Sequence, residues 1–156
     1  MKLSKNLTLQ ECIRSKTADR LGIDNTPDEW ATENLKKVAE HIFQPLRDHF
    51  GVPVYVSSGY RGPELNRAIG GAKRSQHMEG RALDLDADVF GGVTNAQIFH
   101  YIRENLEFDQ VVWEFGTEDN PSWVHVSYVH DGHNRGRCLK ACRDDQGKTY
   151  YEVIFE

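Results

Sequence analysis

Between Trp30 and Leu46 the apolar positions Trp30, Leu35, Val38, Ile42, Phe43 and Leu46 recur at helical spacing. Thr26-Pro27-Asp28-Glu29 supplies the start of this helix: a cap, a proline at the first helical position and an acidic first turn. Gly51 supplies the stop, and Pro45 inside the run predicts a kink. Upstream, Thr8-Leu9-Gln10-Glu11 reads as a capping box that opens a short helix, and residues 14–25 read as an irregular connection. Downstream the period changes. Residues 52–57, 81–86, 110–115 and 123–129 alternate or are β-branched and aromatic, as strands are. Gly59-Tyr60-Arg61-Gly62-Pro63 is a turn, a short helix starts at Pro63 and ends at Gly70-Gly71, and Thr94-Asn95-Ala96-Gln97 caps a helix running to residue 105. Residues 138–142 and 150–155 pair as a terminal hairpin across Asp144-Asp145-Gln146-Gly147. Helices first, then interleaved strands, predict an α+β domain spanning 1–156, with a central, mostly antiparallel sheet flanked by helices.

Composition narrows the class. The chain has 156 residues, 38% hydrophobic and 28% charged, enough for one ordinary core without disulfide staples. Its net charge is -5, so the basic surplus of a nucleic-acid binder is missing and no nucleic-acid partner is expected. No apolar run follows the first lysines, so neither a secretory signal nor a membrane span is expected, and the chain is read as a cytoplasmic monomer without a membrane partner. Cys12, Cys138 and Cys142 lack metal spacing and read as reduced thiols.

The chemistry concentrates in Ser75-Gln76-His77-Met78-Glu79-Gly80-Arg81-Ala82-Leu83-Asp84, answered by Trp123-Val124-His125-Val126-Ser127. On the second segment Val124, Val126 and Tyr128 face one way, and Trp123, His125 and Ser127 the other. A loop-to-strand return brings His77 and Asp84 towards one point, and Gly80 permits the bend. Two imidazoles and one carboxylate suit Zn²⁺, and three protein ligands leave a position open for catalysis. Asp86 shares a strand face with Asp84 and reads as a supporting or surface residue. His130 and His133 flank Asp131-Gly132 in a loop; Lys73-Arg74 and Arg135-Gly136-Arg137 are short basic spots; His41, His49 and His100 belong to helical patterns. All of these read as solvated or structural. A serine or cysteine nucleophile has no matching motif.

Ser57-Ser58-Gly59-Tyr60-Arg61, Leu65-Asn66, Gly70-Gly71, the His77 segment with Gly80, Ala82 and Asp84, and the His125 segment together resemble the D-alanyl-D-alanine carboxypeptidase-like zinc peptidases, in particular their phage-type members. Thr8-Leu9 and Arg20-Leu21-Gly22-Ile23-Asp24-Asn25 fit the same pattern, so the resemblance runs from Leu7 to about Leu139. It implies an α+β, hedgehog-like fold, with zinc on His77, Asp84 and His125. It also implies that Arg61 orients the substrate carbonyl or carboxylate, and that peptidoglycan stem peptides are the substrate. An endolysin would act on the cell wall after release; a carboxypeptidase and an endopeptidase are both compatible. The second function class is a non-catalytic zinc-bearing virion or wall-binding module on the same fold.

The chain departs from the pattern at Ser122, three positions before His125, where several members carry a glutamate as the catalytic acid. Glu114, on the preceding strand between Trp113 and Phe115, is the expected general base, with burial raising its pKa. Glu118 and Asp119 are the alternatives, in a polar loop. Tyr60 and Trp123 are the further expected substrate contacts.

Overall fold

Local signals set most of the helices. The structure, a computed structural model, describes residues 1–155. A small hairpin, β1 (Lys2–Ser4) and β2 (Leu7–Thr8), precedes α1 (Leu9–Ile13), where Thr8 and Glu11 form both halves of the capping box. Residues 14–25 are not wholly irregular. Ser15 caps a six-residue helix, α2 (Lys16–Leu21), which Gly22 ends in a left-handed conformation. It buries only Ala18, so it leaves no apolar period to read in the sequence.

The long helix is capped by Asp28 rather than Thr26. It runs as α3 (Glu29–Val38), a π-helical turn (Ala39–Phe43) and α4 (Gln44–Phe50). Pro45 has no N–H for the ladder, and the wide turn just before it accommodates the missing bond. Ala31, Leu35, Val38, Ile42, Phe43 and Leu46 form the buried stripe, while Trp30 is exposed beneath the guanidinium of Arg81, 5.1 Å from its ring centre. Fully buried residues such as Ile42, Leu46, Ile98 and Ile102 each contribute about 1.5–3 kcal/mol of apolar burial.

The remaining elements are β3 (Tyr55–Ser58), α5 (Pro63–Ala68), a 3₁₀ turn (Gln76–Glu79), β4 (Ala82–Asp86), α6 (Asn95–Asn105), β5 (Gln110–Glu114), β6 (Trp123–Ser127), β7 (Arg137–Arg143) and β8 (Thr149–Val153). The six-stranded sheet has the order β3-β4-β6-β5-β7-β8. It is antiparallel except for β5 and β7. Consecutive strands β6 and β7 run antiparallel on either side of β5, so the parallel pair needs no crossover helix. Strand alternation divides the sheet. Leu83, Leu85, Val111, Trp113, Val124 and Val126 join the core beneath the helices, whereas Val112, Leu139 and Ala141 form a smaller apolar cluster on the other face. Among the described residues no helix is long and apolar enough to cross a membrane.

Candidate metal centre

Three side chains from separate parts of the chain meet on the second face. Ser75 caps the 3₁₀ turn that carries His77, and its Oγ accepts from His77 N–H at 3.2 Å. Gly80 closes the turn in the left-handed region, and a Cβ there would sit 2.3 Å from the carbonyl oxygen of Ala31. The turn is thus seated directly on α3, where Asn34 Nδ2 also donates to Glu79 O at 2.9 Å. Register places Asp84 of β4 opposite His125 of β6. Asp84 Oδ1 lies 3.2 Å from His77 Nε2 and 3.1 Å from His125 Nδ1, and the two rings are 5.1 Å apart. One donor atom from each residue falls within 4.8 Å of the others.

The hydrogen bonding of His77 defines what this cluster can hold. Its Nδ1 is 2.7 Å from Gly59 O, a group that only accepts, so the proton is on Nδ1. In a neutral ring Nε2 then presents a lone pair to the lone pairs of Asp84 Oδ1. Such an arrangement is repulsive unless a cation or an added proton stands between them. Burial would raise the Asp84 carboxyl, but the imidazoles of His77 and His125 outweigh it and hold the group far below the usual carboxylate range. His77 is 2% exposed and fixed from behind by a backbone carbonyl, as metal-bound histidines commonly are. The two-nitrogen, one-oxygen set therefore fits a divalent cation, and zinc is compatible with it.

A cleft of about 1060 Å³ opens over the cluster, and Arg61, Glu114 and Trp123 line it together with His77, Asp84 and His125. Glu114 pairs with Trp123 and Val112 with His125, so Glu114 is the diagonal neighbour of His125 on the same face. Burial pushes the Glu114 carboxyl up to about 7; His125 opposes that shift and Asp84 adds to it. The apolar setting differs in part from the sequence expectation. Trp113 points into the helix-covered core, whereas Phe115 shares the cleft with Glu114, together with Val112, Leu139 and Tyr151.

Arg61 follows β3, and its backbone N–H donates to His77 O at 3.1 Å, tying it to the turn that carries His77. Its side chain donates to Ser75 Oγ at 3.4 Å, while Nε is buried with no partner among the described residues. The residue also lines the cleft, where the terminal N–H groups of a guanidinium can meet an oxygen of a ligand.

Other expected residues lie elsewhere. Tyr60 belongs to the core, 9% exposed, and is not among the residues lining the cleft. Its neighbour Gly59 approaches α1 closely, and the Tyr60 N–H donates to Cys12 O at 2.7 Å. Glu118 and Asp119 are exposed in the loop after Gly116, and Ser122 is exposed with its N–H on Glu114 O at 2.9 Å. Asp86 accepts from Asn95 Nδ2 at 3.1 Å, turned towards the start of α6. The rings of His130 and His133 lie 4.1 Å apart and tilted by 42°, outside the cleft. The basic spots, by contrast, are not merely solvated: Arg74, Arg135 and Arg137 line the cleft, as do Phe115, Arg143 and Tyr151, which the sequence did not single out.

A comparison with curated proteins finds no match. The sequence does match the Peptidase M15 family profile over residues 5–127, which include His77, Asp84, His125, Arg61 and Glu114 but stop short of β7 and β8. With most of its length covered, the chain belongs to the Peptidase M15 family, in agreement with its resemblance to the D-alanyl-D-alanine carboxypeptidase-like peptidases.

Proposed function

We propose that this peptidase is zinc-dependent, that it hydrolyses peptidoglycan stem peptides, and that it serves as a phage or prophage endolysin. The observation that carries the metal is the lone-pair confrontation of His77 Nε2 and Asp84 Oδ1 within a three-residue donor set. His77, Asp84 and His125 would hold the ion. Zinc there supplies Lewis acidity, which acidifies water and polarises a peptide carbonyl.

The chain's own groups do the rest. Glu114, with its raised pKa, takes a proton from the attacking water and returns it to the departing amine. Arg61, which lines the cleft beside the cluster, binds the substrate oxygen that gains negative charge, or the carboxylate beside it. Trp123 lines the cleft two residues from His125 and gives the peptide an apolar wall.

The test is digestion of purified muropeptides by the zinc-loaded protein, followed by mass spectrometry. New fragments are expected, and their masses name the bond. A protein that binds zinc stoichiometrically yet leaves every muropeptide intact would be a non-catalytic wall-binding module instead.

A further inference from the structure

The cleft does not end at the metal cluster. At its β7–β8 side Phe115 breaks the strand pattern. Simple alternation after Glu114 would send the Phe115 ring to the helix-covered face, beside Trp113. Instead Phe115 has φ +54°, a conformation an aromatic residue rarely adopts. The ring turns back onto the site face and packs on Val112, Leu139 and Ala141. It meets Trp123 edge-on at 5.6 Å, and the Arg143 guanidinium lies over it at 4.0 Å.

Arg143 is exposed and has no salt-bridge partner among the described residues, whereas its cleft neighbour Arg135 is engaged by Asp109 at 2.8 Å. A guanidinium stacked on a ring keeps its N–H edge free for a carboxylate, and the stacking fixes its plane. The chain as a whole is acidic, so this positive edge is a local feature. Through Val112, the register sets Leu139 level with His125. Arg143 stands four residues beyond Leu139, about 13 Å along the strand, which is the reach of about four extended residues.

We propose that Arg143, stacked on Phe115 beside Trp123, is a second carboxylate-reading subsite, which selects peptides bearing a free carboxylate several residues from the scissile bond. The subsite rests on the stem-peptide reading above, since stem peptides carry free carboxylates along their length. It also assigns a role to the terminal hairpin, which lies beyond the residues matched to the family.

The probe is a pair of stem pentapeptides that differ only in whether the interior glutamyl α-carboxylate is free or amidated. The zinc-loaded full chain is expected to show a KM about tenfold lower for the free form, the lower end of what a charge-assisted contact contributes. Arg143→Gln should abolish that preference with kcat unchanged, and Arg143→Lys should restore only part of it. Phe115→Asn, which tolerates the left-handed backbone, should weaken it too. Equal KM values in the wild type, an undiminished preference in Arg143→Gln, or an effect of Arg143→Gln on kcat alone would each overturn the subsite. If no peptide is cleaved, the parent reading fails; calorimetric binding of the same pair still decides the subsite, through the presence or absence of an Arg143-dependent preference.

Discussion

Replacing Glu114 by Gln separates two consequences of one buried carboxylate. In the metal-free protein burial raises its pKa from an ordinary 4.5 to about 7. The protonated form is therefore the one the fold favours, and the folded state binds more protons than the unfolded one between those values. Stability must then fall as pH rises through this window, the reverse of the usual behaviour of carboxylates. Above pH 7 the accumulated cost is about 3 kcal/mol, at about 1.4 kcal/mol per pH unit. Gln keeps the shape without the charge. Metal-free Glu114→Gln should thus melt higher than wild type at pH 8, by on the order of 5–10 °C for a domain of this size, and with little difference near pH 4. Differential scanning calorimetry at the two pH values reads this directly. The zinc-loaded variant should keep its metal but lose about a hundredfold to ten-thousandfold in turnover. In the wild type the acidic limb of activity should fall at or below pH 7, because an added dication favours the carboxylate, and the limb should vanish in the variant. Equal melting temperatures at pH 8 would refute the desolvation argument. Full activity in Glu114→Gln with a dead Asp119→Asn would move the base to the exposed loop.

Elemental analysis should find one zinc per chain; His77→Ala and His125→Ala should abolish both zinc and activity, and zinc should raise the melting temperature of the wild type alone. Arg61→Ala should leave the melting temperature nearly unchanged while reducing turnover by about two to three orders of magnitude, and Arg61→Lys should rescue little; an unfolded Arg61→Ala would make the residue structural. Gly59→Ala should cost about 1–3 kcal/mol or more in a denaturant titration and weaken zinc binding. Its Cβ would sit 2.4 Å from Cys12 O, and the Gly59 carbonyl is the fixed partner of His77.

The sequence by itself determined what depends on near neighbours. Thr8 with Glu11 and Thr94 with Gln97 form the caps their spacing announces, because a capping box closes within one turn. Alternation along β6 put His125 and Trp123 on one face, because successive side chains on a strand cannot share one. The α+β class followed from such local regularities taken together, and the family from the resemblance of the motifs around Arg61, His77 and His125. The tertiary structure alone decided what depends on distant pairing. The register of β4, β6 and β5 brought Asp84, His125 and Glu114 to one place. The same pairing sent Trp113 into the core, so of the two aromatic neighbours that suggested a buried Glu114 only Phe115 shares its cleft. Tyr60 went inward beside the close contact of Gly59 with α1, and Phe115 turned outward because its φ is positive; neither is encoded in a period of two. Strand alternation constrains direction only as long as the backbone stays extended. Where the chain turns, packing chooses the face, and the far wall of this cleft is built from those choices.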